Sequence, residues 1–178
     1  GDDFMKKLEV RNQPSMEKWA KVLKSRMEAG EPYIMFKDTV HKNNPISYRM
    51  NNLNVSMTNI CSEITLFTDE EHSFICCLSS LNLSKWDEFK DTDCIQTAIW
   101  FLDGVMQEFI DKSNGKDSLR RTHNHAKKGR ALGLGVMGWH TFLQQKNLPF
   151  NSIASTVHTR NIFNKIRMEA ETASMELA

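Results

Sequence analysis

The chain has 178 residues, 40% of them hydrophobic and 25% charged, with a net charge of +1; this suits one domain with a core and leaves little room for a second. The charge balance gives no general attraction to nucleic acid or to an anionic membrane. No apolar run reaches the length of a membrane helix, "GDDFMKKLEV" lacks a signal peptide's apolar centre, and four cysteines are too few for a disulfide scaffold, so a reducing, cytoplasmic setting is expected.

In chain order, residues 15–29 predict a helix. Met16, Trp19, Leu23 and Met27 recur at three- and four-residue spacing behind Ser15 as cap, and Gly30 and Pro32 stop it. "YIMF" (33–36) is a buried strand candidate, and residues 38–56 read as a polar loop around Pro45. "EITLF" and "FICCL", separated by the polar "TDEEHS", predict a hairpin-like pair of short strands. The clearest helix covers 92–111, with Ile95, Ala98, Ile99, Leu102, Met106 and Phe109 on one face and "KSNGKD" as its end. A last helix over 152–178 places Ile162, Phe163, Ile166, Ala170, Ala173 and Leu177 together. Helices interleaved with short apolar strands point to an α/β architecture. The chain opens on Gly1 and stops at "ASMELA" within a helical pattern, so an internal portion of a longer polypeptide, or one product of a divided gene, is expected.

Chemistry concentrates in "MTNICSEITLFTDEEHSFICCLSSLNL" (57–83), which holds Cys61, Cys76 and Cys77. On an extended segment Asn59, Cys61 and Glu63 would share one face. A carboxylate beside a thiol can act as general base for a substrate hydroxyl, and an amide can hold a hydroxyl as donor and acceptor together. A second thiol at Cys76 could supply electrons by forming a disulfide. Against this stands the habit of cysteine to serve as a small buried hydrophobe, which suits Cys77 beside Ile75 and Leu78, and Cys94 at a helix start. Zinc is disfavoured because no C-x-x-C pair is present, and no local signature partners a cysteine with a histidine for hydrolysis. Spacing alone leaves site and buried thiol both open.

"TNICSEI" followed by "CCLSSLNL" closely resembles the large catalytic subunit of ribonucleotide reductases, with its Asn-x-Cys-x-Glu finger loop and Cys-x-Leu-(Ser/Ala/Gly)-x-x-Asn-Leu strand. "GEPYIMFKD" upstream and "RALGLGVMGWHTFLQ" downstream resemble flanking segments of that family in the same order. The resemblance implies part of a ten-stranded α/β barrel, incomplete in this chain and formed by residues 1–178 as one segment. It implies that Cys61 is the radical cysteine, abstracting the 3′-hydrogen of the ribose, that Glu63 is the base for the 3′-hydroxyl, and that Asn59 orients the ribose hydroxyls. These three would contact the substrate. Cys76 would be one of the two cysteines oxidised to a disulfide, with its partner outside this chain because no cysteine precedes Cys61. Cys77 would hold a variable position without a redox task.

The resemblance further implies a ribonucleotide substrate and the remaining segments of the large subunit as partners. It implies a dithiol reductant such as thioredoxin or glutaredoxin. The radical would come from a metal-containing small subunit (class I, favoured) or from adenosylcobalamin (class II), with no cofactor or metal bound by this chain. The phosphate-binding loop, the C-terminal tyrosine pair and the cysteine-bearing tail of the family have no counterpart here, so the isolated chain is expected to be inactive.

Two further stretches carry alternatives. "GKDSLRRTHNHAKKGR" is basic, and a nucleotide- or nucleic-acid-binding module using 116–130 is the competing function; a solvated connector between helices is the plainer expectation, since no aromatics interleave. "LGLGVMG" has G-x-G-x-x-G spacing at Gly133, Gly135 and Gly138, but it lacks an acidic residue about twenty positions on, as a dinucleotide loop requires. The glycines more simply allow close passage beneath a barrel before a helix through Trp139 and Phe142.

Overall fold

A computed structural model describes residues 1–178, in two units, residues 1–74 and residues 75–178. In the first, helix α1 (Asp2–Glu9) precedes α2 (Gln13–Ala29), and the Phe4 and Trp19 rings meet edge to face at 6.1 Å. The cap of α2 is Asn12 and not Ser15: Asn12 Oδ1 accepts from Ser15 N at 3.2 Å and from Ser15 Oγ at 2.8 Å, which leaves Ser15 buried inside the first turn. Gly30, at φ +77°, closes the helix by donating to Arg26 O. Met16, Leu23 and Met27 lie exposed along α2, so the spacing located a helix but not a buried stripe.

Residues 33–36 form no strand and Tyr33, Ile34 and Phe36 are exposed, because no neighbouring strand offers a ladder. The expected loop over 38–56 contains two short helices, α3 (Lys37–Lys42) and α4 (Ile46–Met50). They pack over a small core in which Val55 and Phe67 are buried, Tyr48 meets Phe67 edge to face, and His41 Nε2 bonds Val55 O at 2.9 Å. Burial pushes the Tyr48 phenol above its ordinary value.

The second unit is built on strands β1 (Cys77–Asn82) and β2 (Leu132–Met137), which pair in parallel from Cys77↔Leu132 to Asn82↔Met137. The predicted hairpin is therefore not formed. The chain does turn at 69–72, where Asp69 N donates to His72 O and Asp69 Oδ1 accepts from the backbone of Glu71 and His72. Residues 63–67, however, make no strand, and "FICCL" finds its partner far along the chain. A parallel pair needs a long crossover. Here it contains α5 (Trp86–Phe89), α6 (Cys94–Ser113) and α7 (Arg120–Gly129). Two more helices follow β2, α8 (Trp139–Gln145) and α9 (Ile153–Glu176).

Helix α6 buries Ile95, Ile99, Leu102, Met106 and Ile110 against α9, α7 and both strands, each worth about 1.5–3 kcal/mol. Helix α9 contributes Ile162, Ile166 and Ala173, whereas Phe163 and Leu177 are exposed, a correction to the expected face. Leu81, Leu83, Trp86, Ile95, Phe142, Leu143, Ile162 and Ile166 form the main core, and Met106, Ile110 and Ala126 a second cluster.

The basic stretch is largely helix and not a solvated connector. Charges at 120, 121, 127 and 128 leave Thr122, His125, Ala126 and Gly129 on one helical stripe, and His125 and Ala126 are fully buried. Gly133 and Gly135 lie within β2, where a Cβ at Gly133 would overlap Leu78 Cδ2 and one at Gly135 would sit 3.3 Å from Ser80 Oγ. Close strand passage, as expected, is what these glycines permit, and they do not form a phosphate loop. No helix is long and apolar enough to cross a membrane.

Candidate active site

Asn59, Cys61 and Glu63 lie on a turn and not on an extended run. Ser62 N donates to Asn59 O at 3.0 Å, and Ser62 adopts φ +73°. Asn59 Oδ1 then accepts from Ile64 N at 3.0 Å, closing the loop from the inside. The strand alternation used to place the three side chains on one face thus does not apply. What the turn does is lift Cys61 to an exposed tip, with Glu63 exposed beside it and Asn59 half-buried at the base. The Asn59 side-chain oxygen gives one acceptor position to the loop, so its two amide N–H donors and one remaining lone pair are what it can offer a ligand.

Next to this turn lies a cavity of about 290 Å³ lined by Tyr33, Ile34, Met35, Phe36, Thr58 and Ser62 among others. The stretch expected to be a strand is one of its walls.

Cys76 belongs to the other unit, immediately before β1. Its neighbours Ile75 and Cys77 pack against the cluster of Met106, Ile110 and Ala126, so Cys76 points to the opposite side of the chain. All four cysteines are thiols; Cys76 is half-buried. Burial first, and Asp103 second, push the Cys77 thiol up, which keeps it protonated and a poor nucleophile. Cys94 packs against the main core. Both therefore behave as the small hydrophobes that their neighbours predicted.

The entry to this region is held by residues of the basic stretch and its run into β2, which the sequence marked for their charge and not for these contacts. His125 Nδ1 accepts from Ile75 N at 3.3 Å. Cys77 N donates to Ala131 O at 3.2 Å. Arg130, in the left-handed region at φ +40°, makes a two-pronged contact with Asp103 (Nε to Oδ1 2.9 Å, Nη2 to Oδ2 2.7 Å) and reaches Gln107 Oε1 at 2.8 Å. That pairing holds the Arg130 guanidinium even further above its ordinary value. One cation of the basic stretch is thus spent on structure. The helical stripe through His125 was the available signal.

The chain matches the family model described as ribonucleotide reductase, barrel domain, over residues 3–178. It is 34% identical over 162 residues to the ribonucleoside-diphosphate reductase large subunit of Invertebrate iridescent virus 3, covering 90% of this chain and 25% of that protein. It is 29% identical over 177 residues to a vitamin B12-dependent ribonucleoside-diphosphate reductase of Mycobacterium tuberculosis, covering 95% of this chain and 23% of the relative. The solved class Id ribonucleotide reductase alpha subunit of Actinobacillus ureae superposes with a TM-score of 0.86 at 40% identity, over 99% of this chain and 34% of that one. The chain thus spans about a third or less of the length of these relatives. With the finger-loop turn, the Cys-x-Leu-Ser strand and the glycine-spaced strand all present in order, the chain belongs to the ribonucleotide reductase barrel-domain family.

Proposed function

We propose that residues 1–178 form one segment of the catalytic barrel of a ribonucleoside-diphosphate reductase and carry its radical cysteine, supplying deoxyribonucleotides for DNA synthesis. The observation that carries this is Cys61 at the exposed tip of a turn braced by Asn59, within a chain that matches the family throughout. A thiyl at Cys61 takes the 3′-hydrogen of the ribose. Glu63 takes the 3′-hydroxyl proton, and the 2′-hydroxyl departs as water. Two thiols, Cys76 and one from outside residues 1–178, give up two electrons and two protons and become a disulfide. The 3′-hydrogen then returns from Cys61, so the radical is regenerated. Asn59 contributes through its amide N–H groups to holding the ribose hydroxyls.

Reduction by a thiol pair fits the classes that start from a metal-radical small subunit or from adenosylcobalamin. The small-subunit class is favoured by the 40% identity to a class Id alpha subunit, against 29% to the B12-dependent relative. The remaining barrel segments, a small subunit and a dithiol such as thioredoxin or glutaredoxin complete the cytoplasmic machinery. The test is ribonucleotide reduction by the assembled enzyme with Cys61→Ser alongside: turnover should vanish in the variant. Equal turnover in both would remove Cys61 from the chemistry.

A further inference from the structure

We infer that His125 is a positioning residue for Cys76, holding the peptide that presents this thiol; the inference rests on the redox role proposed for Cys76. His125 is fully buried on the inward stripe of α7, yet its Nδ1 faces backbone. It accepts the N–H of Ile75, the residue that leads directly into Cys76. On the far side of Cys76, the Cys77 N–H is taken by Ala131 O. The Cys76 peptide is therefore gripped on both sides by one stretch of chain, the end of α7 and its run into β2.

The ladder of β1 and β2 begins at Cys77↔Leu132, so backbone pairing stops short of Ile75. Without the imidazole, the Ile75 N–H would lose its acceptor just where the strand ends. The helix meets Ile75 with the side chains of its buried stripe, and the carbonyl of His125 itself points along the helix axis toward the next turn. An sp² nitrogen at the end of a short, stiff side chain meets the need. Accepting at Nδ1 also fixes the imidazole as the neutral form with its proton on Nε2.

The experiment is alkylation by iodoacetamide in the intact protein, followed cysteine by cysteine by mass spectrometry. Removing the acceptor with His125→Leu should speed alkylation of Cys76 about fivefold, the factor that one neutral hydrogen bond is worth, while Cys61 and Cys77 react as in the wild type. His125→Asn, whose Oδ1 takes the place of Nδ1, should restore the wild-type rate. His125→Gln carries its acceptor one bond further out and should behave like His125→Leu, which keeps the test open if the leucine variant does not fold. An unchanged Cys76 rate in both Leu and Gln variants overturns the inference. So does an equal acceleration of Cys77, which would mean general loosening, or a failure of Asn to restore. Turnover of Cys76→Ser is the separate arm. Retained turnover there removes the redox role of Cys76 itself, whereas an inactive Cys76→Ser with unmoved alkylation removes only the role of His125.

Discussion

Gly138→Ala should be the most damaging small substitution in the second unit. Gly138 sits between β2 and α8 at φ +74°, where a side chain costs about 1–2 kcal/mol. A Cβ would also lie 2.5 Å from Asn82 Oδ1 and 3.2 Å from Ser84 N. Asn82 Oδ1 is already engaged, accepting from Ser84 N at 3.1 Å and Ser84 Oγ at 2.8 Å. Displacing it forfeits a cap worth about 1 kcal/mol. Together the loss is about 2–3 kcal/mol, a large share of a typical total of about 5–15. Urea unfolding followed by circular dichroism reads it directly. Asn82→Ala alone should cost about 1 kcal/mol. The double variant should cost less than the sum of the two, because the truncated residue 82 no longer obstructs the new methyl. An unfolding midpoint for Gly138→Ala indistinguishable from the wild type, or strict additivity with Asn82→Ala, would refute the steric account.

Other consequences can be measured as directly. Cys61→Ser should abolish turnover while leaving the unfolding free energy within about 0.5 kcal/mol, since the exposed thiol holds nothing together. Thr68 is buried and its Oγ1 has no hydrogen-bond partner, so Thr68→Val should stabilise by about 1 kcal/mol in the same unfolding assay. Arg130→Ala should destabilise by about 1–2 kcal/mol, less than a fully buried charged hydrogen bond because the side chain is 36% exposed, and Asp103→Ala should show most of that loss in a double-mutant cycle. Asp87 is held below its usual value of 3.8 by hydrogen bonds from Lys146 and then Lys90. Its contribution is therefore complete above pH 3.8 and fades as the pH falls through the lower folded value. An Asp87→Asn variant should accordingly lose less stability than the wild type on acidification in that range, as read by acid unfolding.

The long elements were legible because their signals are local. Helix α6 repeats apolar residues at helical spacing over five turns, and α9 does so behind Ser152, which caps it by accepting from Ser155 N. The α/β class followed from alternating helices and strands, and the barrel domain from four motif blocks in order. What failed was pairing. "YIMF" and "EITLF" have strand-like composition, but a ladder depends on a partner, and "FICCL" chose Leu132–Met137 over its sequence neighbour. The basic stretch misled for a different reason. Its charges dominate the composition, while the buried stripe is only His125 and Ala126 wide. At the candidate site an extended run was expected and a turn is formed, because an Asn-initiated turn and an extended strand can share the same alternating sequence.

The opposite orientations of Cys76 and Cys77 carry one more consequence. Adjacent thiols in a flexible loop can be joined into a disulfide by an external two-electron oxidant, and such a bond would take both of them out of thiol exchange. Here the pleat aims one sulfur at the helices and its neighbour away from them. A bond of about 2.05 Å between two sulfurs diverging from opposite faces would require the strand to come apart. Under the redox role proposed for Cys76, strand parity would work as insulation: Cys77 can sit next to Cys76 without pairing with it, and a thiol exchanging with Cys76 would approach from the side facing away from the helices.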